Sequence, residues 1–142
     1  MGRVSGYFKK IDFVFFNERQ IRATVRDIRN DTVDHEHNGS GVSDPTAAQA
    51  INNVMPIRQI CVNGYRLEWP EAWLHVVDVV KIKCAECNKS YLRVLDWKYK
   101  RIPYQQVCSE IGVEQSTLSK MWNEVQHLQE LCAVQEGLIR VF

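Results

Sequence analysis

QVCSEIGVEQSTLSKMW, residues Gln106 to Trp122, decides how this chain is read. Val107, Cys108 and Ile111 set an apolar stripe ahead of Gly112, and Val113 follows it. Glycine stops a helix there because it enters the left-handed region without the steric cost other residues meet. Beyond it the pattern predicts a second helix from about Gln115 to Cys132. At 100° per residue, Leu118, Met121, Trp122, Val125, Leu128 and Cys132 share one arc of about 120°. Gln115, Ser116, Ser119, Lys120, Asn123 and His127 lie opposite. A short helix from Pro103, a three-residue turn containing glycine and a longer helix make the helix-turn-helix plan, over residues 103–132. Cys108, small and midway along the first helix, lets the two helices cross closely.

The polar front of the second helix suits a DNA major groove. Short side chains let the backbone approach, and amides and hydroxyls pair with base edges or phosphates. The candidate contacts are Gln115, Ser116, Thr117, Ser119, Lys120 and Asn123. An ordinary solvated face is the competing reading of the helix alone; the partner helix tips the balance toward DNA.

Upstream, residues 81–101 hold Lys81, Lys83, Lys89, Arg93, Lys98, Lys100 and Arg101 against Glu86 and Asp96, a local excess of +5. Of these, Lys98, Lys100 and Arg101 stand next to the motif and join the candidate contacts, as donors of salt-sensitive phosphate affinity. Tyr91, Trp97 and Tyr99, interleaved among them, read as core or shoulder residues. Cys84 and Cys87 form a C-x-x-C, but a zinc site needs further ligands at suitable spacing. His35, His37 and His75 are the candidates, and neither a second C-x-x-C nor an H-x₃₋₅-H is present. The two cysteines are read as thiols one turn apart at a helix end, with zinc at Cys84 and Cys87 the minor alternative and no metal or cofactor expected.

The rest of the chain reads as short helices. Val4 to Asn30 has helical spacing at Phe8, Ile11, Phe15, Val25 and Ile28, and residues 1–30 carry seven Lys or Arg against three acids. Residues 30–46, NDTVDHEHNGSGVSDPT, lack Lys and Arg and have loop composition. Asp44 or Ser43 then caps a helix started by Pro45 and carried by Ala47, Ala48, Ala50 and Ile51. Asn63-Gly64 is a turn. WPEAW opens a helix at Pro70, with Glu71 in its first turn and Trp73, Val76, Val77 and Val80 as its stripe, ending near Cys87-Asn88. Tyr91 to Tyr99 makes another. The expected fold is all-α: a basic N-terminal helix (1–30), a flexible acidic loop (31–43) and a helical domain (44–142) containing the helix-turn-helix.

Bulk properties bound the function. Of 142 residues, 45% are hydrophobic and 25% charged, with net charge +1, so any electrostatic attraction must be local. No apolar run approaches the roughly 20 residues of a membrane span. Asp12 interrupts the N-terminal apolar patch, and no small-residue cleavage site follows. Five cysteines read as reduced thiols, and the expected location is the cytoplasm. Phosphate-loop, nucleophile-elbow and H-E-x-x-H motifs are absent, and His35-Glu36-His37 sits in a loop, so an enzyme is not expected.

Two resemblances extend this reading. QVCSEIGVEQSTLSKMW resembles the helix-turn-helix of lambda-type Cro repressors, with Cys108 where such motifs usually hold alanine. That likeness places Gln115, Ser116, Ser119 and Lys120 at base- and phosphate-contacting positions. The basic N-terminal helix, the string NGSGVSDPTAAQAI and the C-terminal motif resemble the RinA/ArpU-type late-gene transcriptional regulators of phages and prophages, whose C-terminal half is similar to the promoter-reading domain of sigma factors. The resemblance implies an activator in a bacterial host cell that binds double-stranded promoter DNA upstream of late or packaging genes. RNA polymerase is a candidate partner, and a second copy of the chain is another, because one short motif rarely gives enough specificity alone. The rivals are a small terminase subunit, which also reads phage DNA through a helix-turn-helix, and a protein-interaction module.

Overall fold

The computed structural model describes the backbone of residues 6–38 and 55–139, and the side chains of 9–30 and 55–139. Among the described residues, six helices and one antiparallel hairpin run in the order α1 (Gly6–Phe16), α2 (Glu18–Asn38), β1 (Gln59–Val62), β2 (Tyr65–Glu68), α3 (Pro70–Cys87), α4 (Ser90–Tyr99), α5 (Tyr104–Ile111) and α6 (Gln115–Gln135). The chain is mostly helical, as its pattern predicts. No helix among the described residues is long and apolar enough to cross a membrane. The helix expected after Asp44, and the part of the acidic loop beyond Asn38, lie outside the described residues.

The chain divides into two compact units, residues 17–74 and residues 1–16 with 75–142. The smaller unit departs most from expectation. The expected single N-terminal helix is broken at Asn17, whose carbonyl accepts from Ile21 N at 2.9 Å and so starts α2. Asparagine favours helix starts because its side chain competes with helical backbone bonding, and here Asn17 Oδ1 accepts from Asn63 Nδ2 at 2.6 Å. Helix α2 then continues to Asn38, through residues 31–38 of the expected loop. That stretch is polar but holds neither glycine nor proline before Gly39, so nothing in it forbids a helix. Of the expected stripe, Ile11 and Phe15 are buried, while Ile28 is exposed.

The segment around Asn63-Gly64 is a hairpin rather than a bare turn. Gln59 pairs with Glu68, Ile60 with Leu67, Cys61 with Arg66 and Val62 with Tyr65. Asn63 and Gly64 both have positive φ, 51° and 78°, which the type I′ turn of a two-residue hairpin loop requires. Ile60, Val62 and Leu67 are buried, and so is Ile21 of α2, which packs with β1.

The hairpin passes directly into α3. Trp69 takes φ 52°, a left-handed conformation that a bulky side chain rarely adopts. Its N–H donates to Arg58 O at 2.8 Å and its carbonyl accepts from Trp73 N at 3.1 Å, so one residue closes the ladder and opens the helix. Pro70 and Glu71 occupy the first turn of α3, as the sequence predicts. Glu71 Oε1 accepts from Ile57 N at 3.1 Å and from Arg29 Nη2 at 2.6 Å, and Arg29 also donates to Met55 O at 3.0 Å. This latch fastens α2, the approach to β1 and the start of α3. Because it is partly solvated, we expect Glu71→Ala to cost about 1 kcal/mol in a denaturant titration.

The larger unit holds α1, α4, α5, α6 and most of α3. Val76, Val77, Val80 and Cys84 of α3 are fully buried, as is Trp73 of its first turn in the other unit. Val94 and Leu95 of α4, Val107 of α5, and Leu118, Met121, Val125 and Cys132 of α6 complete an apolar interior with Ile11 and Val14 of α1. Helix α1 contacts both α4 and α6.

Candidate nucleic-acid interface

Helices α4, α5 and α6 pack pairwise, and α5 and α6 with the turn between them form the helix-turn-helix. Asn88 starts α4: its Oδ1 accepts from Ser90 N at 2.9 Å and its carbonyl from Tyr91 N at 2.9 Å. Arg101, at φ 56°, turns the chain out of α4, and Pro103 precedes α5. Gly112, at φ 73°, ends α5 in the left-handed form, with Gly112 N at 2.8 Å and Val113 N at 3.1 Å from Cys108 O. Those two bonds satisfy a carbonyl that the helix end would otherwise orphan. Glu114 is extended and its carbonyl accepts from Leu118 N at 2.9 Å, which starts α6 at Gln115. The boundaries match the sequence reading closely; α6 runs on to Gln135, three residues past Cys132.

The two sides of α6 separate as the helical period demands. Gln115, Ser116, Thr117, Ser119, Lys120, Asn123 and His127 are all exposed. Leu118, Met121, Val125 and Cys132 are buried, and Trp122 and Leu128 are half-buried. One residue breaks the expected division: Gln129 is fully buried.

Gln129 belongs to a polar network that sequence reasoning missed. Its Nε2 donates to the Tyr99 hydroxyl at 2.9 Å, which itself donates to Asp12 Oδ1 at 2.7 Å. Aromatic rings surround Tyr99: Phe15 is stacked at 5.2 Å between centroids, while Phe16 at 4.9 Å and Trp122 at 5.8 Å meet it edge to face. Burial drives the Tyr99 hydroxyl far above its usual pKa, and Asp12 reinforces this, so the group stays a neutral donor. A usable signal existed, because 100° per residue puts Gln129 inside the apolar arc of α6.

Further polar contacts bind α4 to its two partners. Arg93 reaches Glu110 of α5, with Nε 2.7 Å and Nη2 2.6 Å from Oε2, and also Asp96, with Nη1 3.2 Å from Oδ2. The Tyr91 hydroxyl donates to Glu124 of α6, which raises its pKa to about 12.

The basic block of residues 81–101 is therefore divided among different tasks. Lys100 pairs with Asp96 at 3.3 Å while its side chain stays 71% exposed, which leaves the ammonium within reach of solvent. Arg101 is exposed at the turn after α4. Lys98 instead lies over indole rings, Nζ being 4.2 Å from the Trp97 centroid and 5.2 Å from that of Trp122. Trp97 and Tyr99 are half-buried, the shoulder position expected of them.

At the end of α3, Cys84 is buried and Cys87 exposed. Burial raises the Cys84 thiol to about 11, so it is a poor ligand or nucleophile at neutral pH. Among the described residues, no three His, Cys, Asp or Glu side chains are grouped to hold a metal ion. The side chains of His35 and His37 lie outside the described residues.

Burial raises the Asp12 carboxyl above its ordinary 3.8, against the Tyr99 hydrogen bond and the charge of Lys98, which lower it. The folded chain thus holds this proton more tightly than the unfolded one, so Asp12 contributes stability in acid and loses it as pH rises through the raised folded value. Asp12→Asn keeps an acceptor for Tyr99 but cannot ionise. We expect that variant to lack this decline when unfolding is followed between about pH 3 and pH 7.

No protein-family model, curated protein or solved structure matches the chain.

Proposed function

We propose that this chain is a sequence-specific, double-stranded-DNA-binding regulator of transcription that lays α6 in a major groove. The observation that carries the reading is the front of α6. Gln115, Ser116, Thr117, Ser119, Lys120 and Asn123 are all exposed on the first half of a helix whose back is buried, directly after the Gly112 turn. These are hydroxyls and amides, which donate and accept, with one lysine ammonium, which donates, and they suit base edges and phosphates. Phage or prophage origin, late-gene activation and contact with RNA polymerase rest on the RinA/ArpU resemblance alone. A two-fold dimer is the assembly that gives one short motif enough specificity.

Charge refines the proposal. From Tyr104 to Gln135 the chain carries Glu110, Glu114, Glu124 and Glu130 against Lys120 alone. Arg93 and Gln106 engage Glu110, and Tyr91 engages Glu124, so part of this acidity is occupied within the fold. Phosphate attraction then falls mainly to Lys120, Lys100 and Arg101, and base-edge contacts carry a large share of the affinity. The salt dependence of a protomer should accordingly match about three or four phosphate contacts, not the six to ten of strongly charged binders.

Selection from a random duplex pool identifies the site and, by half-site spacing, the dimer. On that site Gln115→Ala with Lys120→Ala should weaken binding about 10- to 1,000-fold with thermal stability unchanged. Unaltered affinity would instead assign the face to a protein partner, and a closed multi-subunit ring in solution would favour a packaging terminase subunit.

A further inference from the structure

Lys98 has an environment unlike that of a surface lysine. Its ammonium sits within 5.2 Å of two indole centroids, Trp97 on its own helix and Trp122 on α6. Both rings and the lysine are half-buried. An ammonium this close to a ring face is attracted by the negative π surface, most strongly when water is partly excluded. Burial lowers the Lys98 pKa, and the charge of Asp12 on α1 acts in the opposite direction. Trp122 in turn meets Tyr99 edge to face, so the ring that holds Lys98 also belongs to the cluster behind α6.

We propose that Trp97 and Trp122 form a cation cage whose resident occupant is Lys98. Lys98 is thereby a positioning residue that ties α4 to the middle of α6, and not a phosphate contact. To reach a DNA backbone the ammonium would have to leave both rings. The cage itself is a site for a small organic ammonium, filled in the native protein by the chain's own side chain. The role in presenting α6 rests on the DNA-binding reading; the cage does not.

The test compares Lys98→Met, which keeps the apolar stem and removes the charge, with Lys98→Arg, which keeps a cation able to stack. Lys98→Met should lower the melting temperature by about 3–8 °C and move the indole N–H resonances of Trp97 and Trp122, while Lys98→Arg retains most of both. Lys98→Ala opens the cage, and tetramethylammonium chloride should restore part of its lost melting temperature where equal sodium chloride does not. On the selected duplex, Lys98→Met should weaken binding with an unchanged salt slope. A melting temperature and indole signals indifferent to Lys98→Met would overturn the cage. So would a salt slope smaller by about one with stability intact, which is the signature of a phosphate contact. If the wild-type chain binds no duplex, the DNA reading fails while the thermal, resonance and tetramethylammonium measurements still decide the cage. Should Lys98→Met fail to fold, Lys98→Arg decides: loss of folding there too contradicts a cage that accepts any cation.

Discussion

Tyr99 joins three helices that the chain supplies from distant places. Its ring fills the space between Phe15 and Phe16 of α1 and Trp122 of α6, and its hydroxyl links Asp12 of α1 to Gln129 of α6. A helix such as α6 has no reason to hold one rotation unless its back is fixed, and aromatic packing with directed hydrogen bonds fixes rotation where an all-aliphatic interface tolerates slippage. The arrangement has a cost, because Gln129 Oε1 is buried with no hydrogen-bond partner among the described residues, a defect worth about 1–3 kcal/mol. Removing the amide altogether would relieve that defect and loosen the Tyr99 hydroxyl, so the network favours a defined orientation over maximal stability.

With its back held, α6 presents a front set by helical geometry alone. The exposed amides and hydroxyls follow from the positions of Leu118, Met121, Val125 and Cys132, since the one side cannot be buried without turning the other outward. Around this front the polar bonds are economical. Arg93 occupies Glu110 and Asp96, and Tyr91 occupies Glu124, so the residues nearest the two motif helices hold each other in place and do not stand ready for a ligand. What remains on the outward side is weakly charged and rich in hydrogen-bonding groups. Such a surface discriminates by pattern more than by attraction.

Much of this was legible because helix boundaries are punctuated. Pro70, Gly112 and the apolar spacing of α3 to α6 each carry a local rule that tertiary structure did not override, and the motif fell where those rules placed it. The hairpin was missed because four-residue strands leave too short an alternation to register, although Asn63-Gly64 carries the turn signal itself. The break at Asn17 was missed because the apolar spacing runs on past it; only the capping preference of asparagine marks it. Residues 31–38 were assigned to a loop by composition, which reports poor burial and says nothing about backbone propensity. The Asp12–Tyr99–Gln129 network joins residues 30 to 117 positions apart, and Lys98 reaches Trp122 on another helix, 24 positions away. Local pattern carries no information about such contacts, save that a glutamine in an apolar arc must find a partner.

The proposed DNA binding requires the front of α6 to meet base pairs. Amide resonances of isotopically labelled protein, followed during titration with a duplex drawn from the selected pool, test it most directly. The prediction is that Gln115, Ser119, Lys120 and Asn123 shift most and that the hairpin at Gln59–Glu68 stays still. Shifts centred on the hairpin, or none on α6 at saturating duplex, would contradict it.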